Sequence, residues 1–138
     1  MRPDQTAHIR RTWDLVAPIA PQAAELFYGR LFELDPSLRR LFAQADMQAQ
    51  GLKLMQTLAV VVAGLDDLPR IVGSVQALGR RHVGYGVQRS HYATVGAALL
   101  WTLEQGLGDR FDAPARAAWT DAYALLSTTM IEAQAAAA

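Results

Sequence analysis

Residues 70–82 read Arg-Ile-Val-Gly-Ser-Val-Gln-Ala-Leu-Gly-Arg-Arg-His. Ile71, Val75 and Leu78 recur at spacings of four and three, the period of one face of an α-helix. His82 follows Leu78 by four residues, so it falls on that same apolar face. Asp66-Asp67-Leu68-Pro69 ahead of the stretch reads as a helix start, with an aspartate cap and a proline in the first turn. Gly84 and Gly86 stop it. The segment therefore predicts an amphipathic helix that ends near His82 and carries an imidazole toward the core.

The same period extends in both directions. Asp4 is the candidate N-cap of a first helix with Ile9, Trp13 and Val16 inward, closed by Pro18 and Pro21. A second helix is expected from Pro21 to Leu34, with Ala24, Phe27, Tyr28 and Leu31 on or near one face. Asp35-Pro36 forces a corner, because the residue before proline avoids the helical region. A short helix over Pro36 to Phe42 follows, then a loop over 43–47. A long helix is expected from Gln48 to Gly64 with Leu54, Leu58 and Val61 inward. Beyond the His82 helix, Ser90 or His91 opens a helix to about Gly106, lined by Tyr92, Val95, Leu99 and Leu103. The last runs from Ala113 to Ala133, lined by Trp119, Tyr123, Leu126 and Met130, with Ala135 to Ala138 frayed. No strand-like alternation, internal repeat or domain-dividing linker occurs, so residues 1–138 read as one all-α domain.

Composition narrows the function. The 138 residues contain no cysteine, which excludes disulfides, thiolate zinc sites, cysteine-ligated iron–sulfur clusters and thiolate-bound haem. Lysine plus arginine, 13, equals aspartate plus glutamate, 13. This balance gives no sign of a nucleic-acid partner. The longest apolar run, Leu58 to Ala63, falls far short of the ~20 residues that span a bilayer. The charged N-terminal residues do not resemble a signal peptide, so a cytoplasmic protein is expected.

Of three histidines, His8 is expected on a solvent face and His91 at a helix start. His82 has two readings at this level: a hydrogen-bonded core residue or a metal ligand. No His-x-x-x-His or Glu-x-x-His pair supports a protein-only metal site. One imidazole can hold a metal that brings its own equatorial ligands, which is haem. Phe27, Phe42, Leu54, Leu58 and Leu99 are candidate walls, and Lys53, Arg80 and Arg81 are candidate partners for propionates.

The run Leu26-Phe27-Tyr28-Gly29-Arg30-Leu31-Phe32, then Pro36 and Phe42, resembles the second and third helices of bacterial globins. The closest likeness is to the globin domain of flavohaemoglobins and their single-domain relatives. Arg81-His82-Val83 with Tyr92 ten residues after His82, and Trp119 with Ala122-Tyr123, match the same group. The resemblance covers roughly residues 4 to 133. It implies a globin fold, a helical sandwich around one haem b, with His82 as proximal iron ligand and Phe42 against the haem face. It places Tyr28 and Gln50 on the distal side, where they would hydrogen-bond a bound gas; Gln48 is the alternative to Gln50. Leu54 would wall the distal pocket, Lys53 and Arg81 would face propionates, and Tyr92 would border the haem. In flavohaemoglobins a glutamate near the end of the last helix supports the proximal histidine. Here that place falls at Ala135 or Ala136, and Glu132 lies about a turn earlier.

The resemblance leaves three functions open on the same residues. The leading one is reversible binding of oxygen, with nitric oxide and carbon monoxide as further ligands, at an iron able to stand five-coordinate. The second is a nitric oxide dioxygenase served by a separate reductase, since no flavin or nicotinamide domain lies within these residues. The third is a gas or redox sensor. Both monomer and homodimer are compatible with the sequence.

Overall fold

Prolines and aspartates set most of the element boundaries. In the computed structural model, which describes residues 2–137, helix α1 spans Pro3–Val16. It starts one residue before the expected cap at Asp4: Pro3 takes the first helical position, and Gln5 Oε1 accepts a hydrogen bond from the Arg2 N–H at 3.1 Å. A 3-10 turn at Ala17–Ile19 absorbs Pro18 and leads into α2, Ala20–Leu34. Asp35 is extended (φ −146°, ψ 91°), as the residue before a proline must be, and its carboxylate accepts from Ser37 N–H. The Pro36–Phe42 segment is a 3-10 helix rather than an α-helix.

Helix α3, Met47–Ala63, opens at Asp46, whose Oδ1 accepts from the Gln48 and Ala49 N–H groups at 3.0 and 3.4 Å. Helix α4 spans Leu68–Gly84, α5 spans His91–Leu107 and α6 spans Ala113–Ala137. Ala135 and Ala136 continue the last helix instead of fraying, and Ala138 lies outside the described residues. Six α-helices, three 3-10 segments and no strand make up the described residues. No helix among them is long and apolar enough to cross a membrane.

Helix α4 lies along α6, α2 crosses α5 and α3, and α1 crosses α6 and α3. The α4–α6 approach is close because Gly79 has no side chain: a Cβ there would stand 2.6 Å from the Met130 carbonyl oxygen. Gly51 does the same for α3 on α2, where a Cβ would stand 2.9 Å from that of Ala24. A buried hydrogen bond from Trp119 Nε1 to Thr12 Oγ1, 2.7 Å, pins α6 to α1. Consecutive helices α3 and α4, by contrast, scarcely pack against each other. The buried apolar side chains fall into two clusters accordingly. A large one, including Tyr28, Leu58 and Leu99, is built from α1, α2, α3, α5 and α6. A smaller one joins Val75, Tyr92 and Met130, with Leu78 and Leu126 against it.

The inner face of α3 is turned from the expected stripe. Gly51, Met55, Leu58 and Val62 are buried, whereas Leu54 and Val61 are half-buried.

Candidate functional site

Tyr28 lies in the second half of α2, inside an aromatic group. Its ring meets Phe27 edge-on at 4.9 Å between centroids and Phe42 at 5.4 Å, and Phe42 in turn meets Phe32 at 5.6 Å. Phe42 reaches this group because the Asp35-Pro36 corner folds the 3-10 segment back onto α2. Burial raises the Tyr28 pKa above the usual phenol value, and the polar Gln50 side chain nearby pulls part of that back. The hydroxyl is thus a neutral phenol beside an amide, both able to donate. Gln50 sits in the first turn of α3, held over α2 by the Gly51–Ala24 approach. Gln48 is exposed, as is Lys53, while Leu54 is half-buried against the same cluster.

His82 stands near the end of α4, half-buried. Its Nδ1 donates to the Leu78 carbonyl oxygen at 2.7 Å, which fixes the ring and leaves Nε2 without its proton. Burial pushes its pKa below the usual imidazole value; the Leu78 bond opposes this and the Arg81 charge adds to it. A neutral imidazole with an unoccupied lone pair is the form that binds metal.

Two tyrosines flank the imidazole. The Tyr92 ring lies 6.5 Å away at 29°, and that of Tyr85 lies 5.5 Å away at 58°. Tyr92 is held from behind by Tyr123, whose hydroxyl donates to the Tyr92 carbonyl at 2.7 Å. Tyr123 gains its place beside α5 because Gly96 offers no Cβ, which would come within 2.8 Å of its ring. After α4 the chain turns at Gly86, whose φ of +84° favours glycine. The turn lets Val87 N–H donate to the His82 carbonyl at 3.0 Å, and Gln134 Nε2 donates to the Val87 carbonyl at 2.5 Å.

The structure thus gathers Tyr28, Phe42 and Gln50 on one side, with Leu54 near them. His82 and Tyr92 form the other side, and Arg81 is exposed beside them. Gly79 and Gln134 were not singled out in the sequence, and Tyr123 only as a lining and family-matching residue of the last helix, yet all three fix the position of the His82 side. A glycine on an otherwise apolar helix face three residues before the histidine was the available signal for the first of these. His91 is half-buried at the start of α5, where its Nδ1 accepts from Gln88 N–H. His8 is half-buried and lies 3.4 Å from the Arg11 guanidinium.

A macrocyclic metal group fits this arrangement on three counts. Among the described residues no group of three His, Asp or Glu could hold a bare ion, so His82 alone suits a metal with its own equatorial donors. Helices α3 and α4, which carry Gln50 and His82, scarcely pack against each other. The Tyr92 hydroxyl, close to His82, is buried and has no hydrogen-bond partner, although a buried hydroxyl ordinarily has one.

The class these features suit is an all-helical protein that takes up a macrocyclic metal group beside a single histidine. Residues 25–130 match the globin family model, and the chain belongs to the globin family. Among curated relatives, neuroglobin of Chaenocephalus aceratus is 31% identical over 135 residues, covering 88% of this chain and 85% of that protein. Neuroglobin of Dissostichus mawsoni matches with the same identity and coverage. A flavohemoprotein of Vibrio cholerae is 29% identical over 126 residues, covering 90% of this chain but 32% of that longer protein. The resemblance to the flavohaemoglobin globin domain is thus found alongside an equal likeness to vertebrate globins. The protein is a haem globin, and diatomic gases are the ligands of its family.

Proposed function

We propose that this globin binds oxygen reversibly at a haem b held by His82, and that it releases oxygen slowly. The observation that carries the reading is the Tyr28 phenol, buried edge-on against Phe27 and Phe42 with the Gln50 side chain near it. When bound, the haem supplies a ferrous iron that accepts a diatomic ligand and passes electron density to it. His82 holds that iron through Nε2, with Nδ1 engaged by Leu78. Tyr28 donates its hydroxyl proton as a hydrogen bond toward the bound gas, and Gln50 supplies a second donor. Phe42, Leu54 and Tyr92 exclude water and orient the macrocycle, while Lys53 and Arg81, exposed at the edge, neutralise its propionates.

Reversible binding is favoured over oxidative turnover by the second partner of the imidazole. A neutral backbone carbonyl accepts from Nδ1 where a carboxylate would make the imidazole a stronger donor. Glu132 is exposed, and Ala135 and Ala136 carry no acid.

The test is the visible absorption spectrum of the purified protein as ferric, reduced and carbon monoxide-treated forms. The expected result is a Soret band that moves at each step and is lost in His82→Ala. A colourless protein that takes up no added haem overturns the reading. Catalytic consumption of nitric oxide with a reductase present would replace the carrier assignment by a dioxygenase.

A further inference from the structure

A net charge of zero conceals a segregation of charge. Residues 68–103 carry Arg70, Arg80, Arg81 and Arg89 and not one acidic residue. Residues 36–63 carry Arg39, Arg40 and Lys53 against Asp46 alone. The remaining twelve acids lie on other segments. There, Arg2, Arg10, Arg11, Arg30 and Arg116 each make an ion pair with an acid. None of the seven basic residues in the two basic segments does so among the described residues.

These basic segments meet at the His82 end of the molecule. A Cβ on Gly86, in the turn after α4, would stand 3.4 Å from Leu41 Cδ2, so this turn rests against the 3-10 segment that carries Arg40. Arg80 and Arg89 flank the same turn, and all three arginines are exposed. Between them Val83 is 40% and Tyr85 58% exposed, and the Tyr85 ring lies 5.5 Å from the His82 ring. An exposed aromatic ring rimmed by unpaired arginines has the composition of a protein interface. Arginine further suits planar carboxylates, which it binds by two parallel hydrogen bonds.

We propose that this face, Arg40, Arg80 and Arg89 around Tyr85 and Val83, docks an acidic electron-donor protein beside the haem edge. The proposal rests on the haem reading above and adds the partner's chemistry to it. An iron that must be ferrous to bind oxygen needs re-reduction whenever it oxidises. In that step one electron leaves the donor, which is oxidised, and ferric iron becomes ferrous; no bond or proton is exchanged. Opposite charge steers such an encounter and makes it sensitive to salt.

The probe is a flavodoxin of strongly negative net charge, titrated into the haem-loaded protein, with binding read from backbone amide shifts and electron transfer read separately by stopped flow. The expected result is a set of shifted amides centred on residues 80–89, with affinity falling about tenfold or more between low and physiological salt. The double variant Arg40→Glu/Arg89→Glu should lose about tenfold or more in affinity and in the reduction rate by flavodoxin. Its reduction by uncharged photoreduced riboflavin should be unchanged, and Arg110→Glu, on a different segment, should bind like the wild type. Shifts elsewhere, or equal affinity in the double variant, overturn the proposal. So does binding to anionic phosphatidylserine vesicles without binding to flavodoxin. Because amide shifts need no colour, a protein that fails to take up haem defeats the functional reading without deciding whether the face binds.

Discussion

Tyr28→Phe isolates the distal hydrogen bond. The substitution removes one oxygen and keeps the ring, so the edge contacts with Phe27 and Phe42 at 4.9 and 5.4 Å persist. A hydrogen bond to a gas that has drawn electron density from the iron counts as charge-assisted, on the order of 1.5–3 kcal/mol. Gln50 lies near the hydroxyl as the second donor, so in the variant its amide can close further on the gas and return about 0.5–1.5 kcal/mol. The net loss is about 1–1.5 kcal/mol, which corresponds to a release rate about five- to twelvefold faster. The assay is oxygen dissociation in a stopped-flow instrument with carbon monoxide as trap. The association rate should change less, because the donor acts on the bound ligand. Since burial lifts the Tyr28 pKa above the ordinary phenol value, the hydroxyl keeps its proton and the wild-type to variant ratio should be constant from pH 6 to 9. A release rate within twofold of wild type would refute the distal assignment.

Three further outcomes follow from the packing. Gly79→Ala drives a methyl into the Met130 backbone and should splay α4 from α6; overpacking of this kind costs about 1–3 kcal/mol, read as faster haem transfer to an apo-globin acceptor. An unchanged transfer rate would mean that the helices yield without moving His82. Thr12→Val preserves shape but orphans the buried Trp119 N–H, so urea unfolding should show a loss of about 1–3 kcal/mol, and an unaltered midpoint would remove this bond from the account of stability. Tyr92→Phe should cost the haem-free protein nothing, because its buried hydroxyl has no partner there, yet hasten haem loss from the loaded protein; destabilisation of the haem-free form in urea would contradict this.

The sequence made the helices legible where polar and apolar faces are distinct or where proline and aspartate mark ends. The α4 helix with His82 and the Pro36 corner are of this kind. Helix α3 was harder: Leu52, Leu54, Met55, Leu58, Val60, Val61 and Val62 surround most of its circumference, so periodicity alone leaves its rotation open. The Gly51–Ala24 approach and the Asp46 cap set that rotation, and both are matters of geometry rather than hydropathy. Buried Thr6 and Thr12 were unreadable for a related reason. Each hydroxyl donates to a carbonyl one turn back, Arg2 for Thr6 and His8 for Thr12, so its proton is satisfied locally at a core position, and Thr12 is left free to accept from Trp119. Of the candidate site, His82 and Tyr28 were visible as polar groups on apolar faces, whereas Gln50 needed the register of a loop that no pattern fixes. The basic face was hidden by the balance of total charge: the two acid-poor segments can be read along the chain, but their meeting at the His82 end shows only when residues are placed.

The two sides of the site divide the work unequally. On the His82 side every polar contact is neutral or backbone: Leu78 takes the Nδ1 proton, Val87 N–H binds the His82 carbonyl, and Gln134 holds the Val87 carbonyl. Such contacts fix where the imidazole stands without adding the electron donation that a carboxylate partner gives. On the Tyr28 side the contacts are side-chain donors in an apolar surround, where a hydrogen bond is worth more than in water. On the proposed function, discrimination in ligand release comes chiefly from Tyr28 and Gln50, and retention of haem from the α4–α6 packing. Distal substitutions should change gas kinetics at constant haem retention, and Gly79 or Gln134 substitutions should change haem retention with a smaller effect on gas release. Introducing a carboxylate by Gln134→Glu offers no escape from this division, because it removes the N–H donor that holds Val87 and places a charge against a carbonyl oxygen.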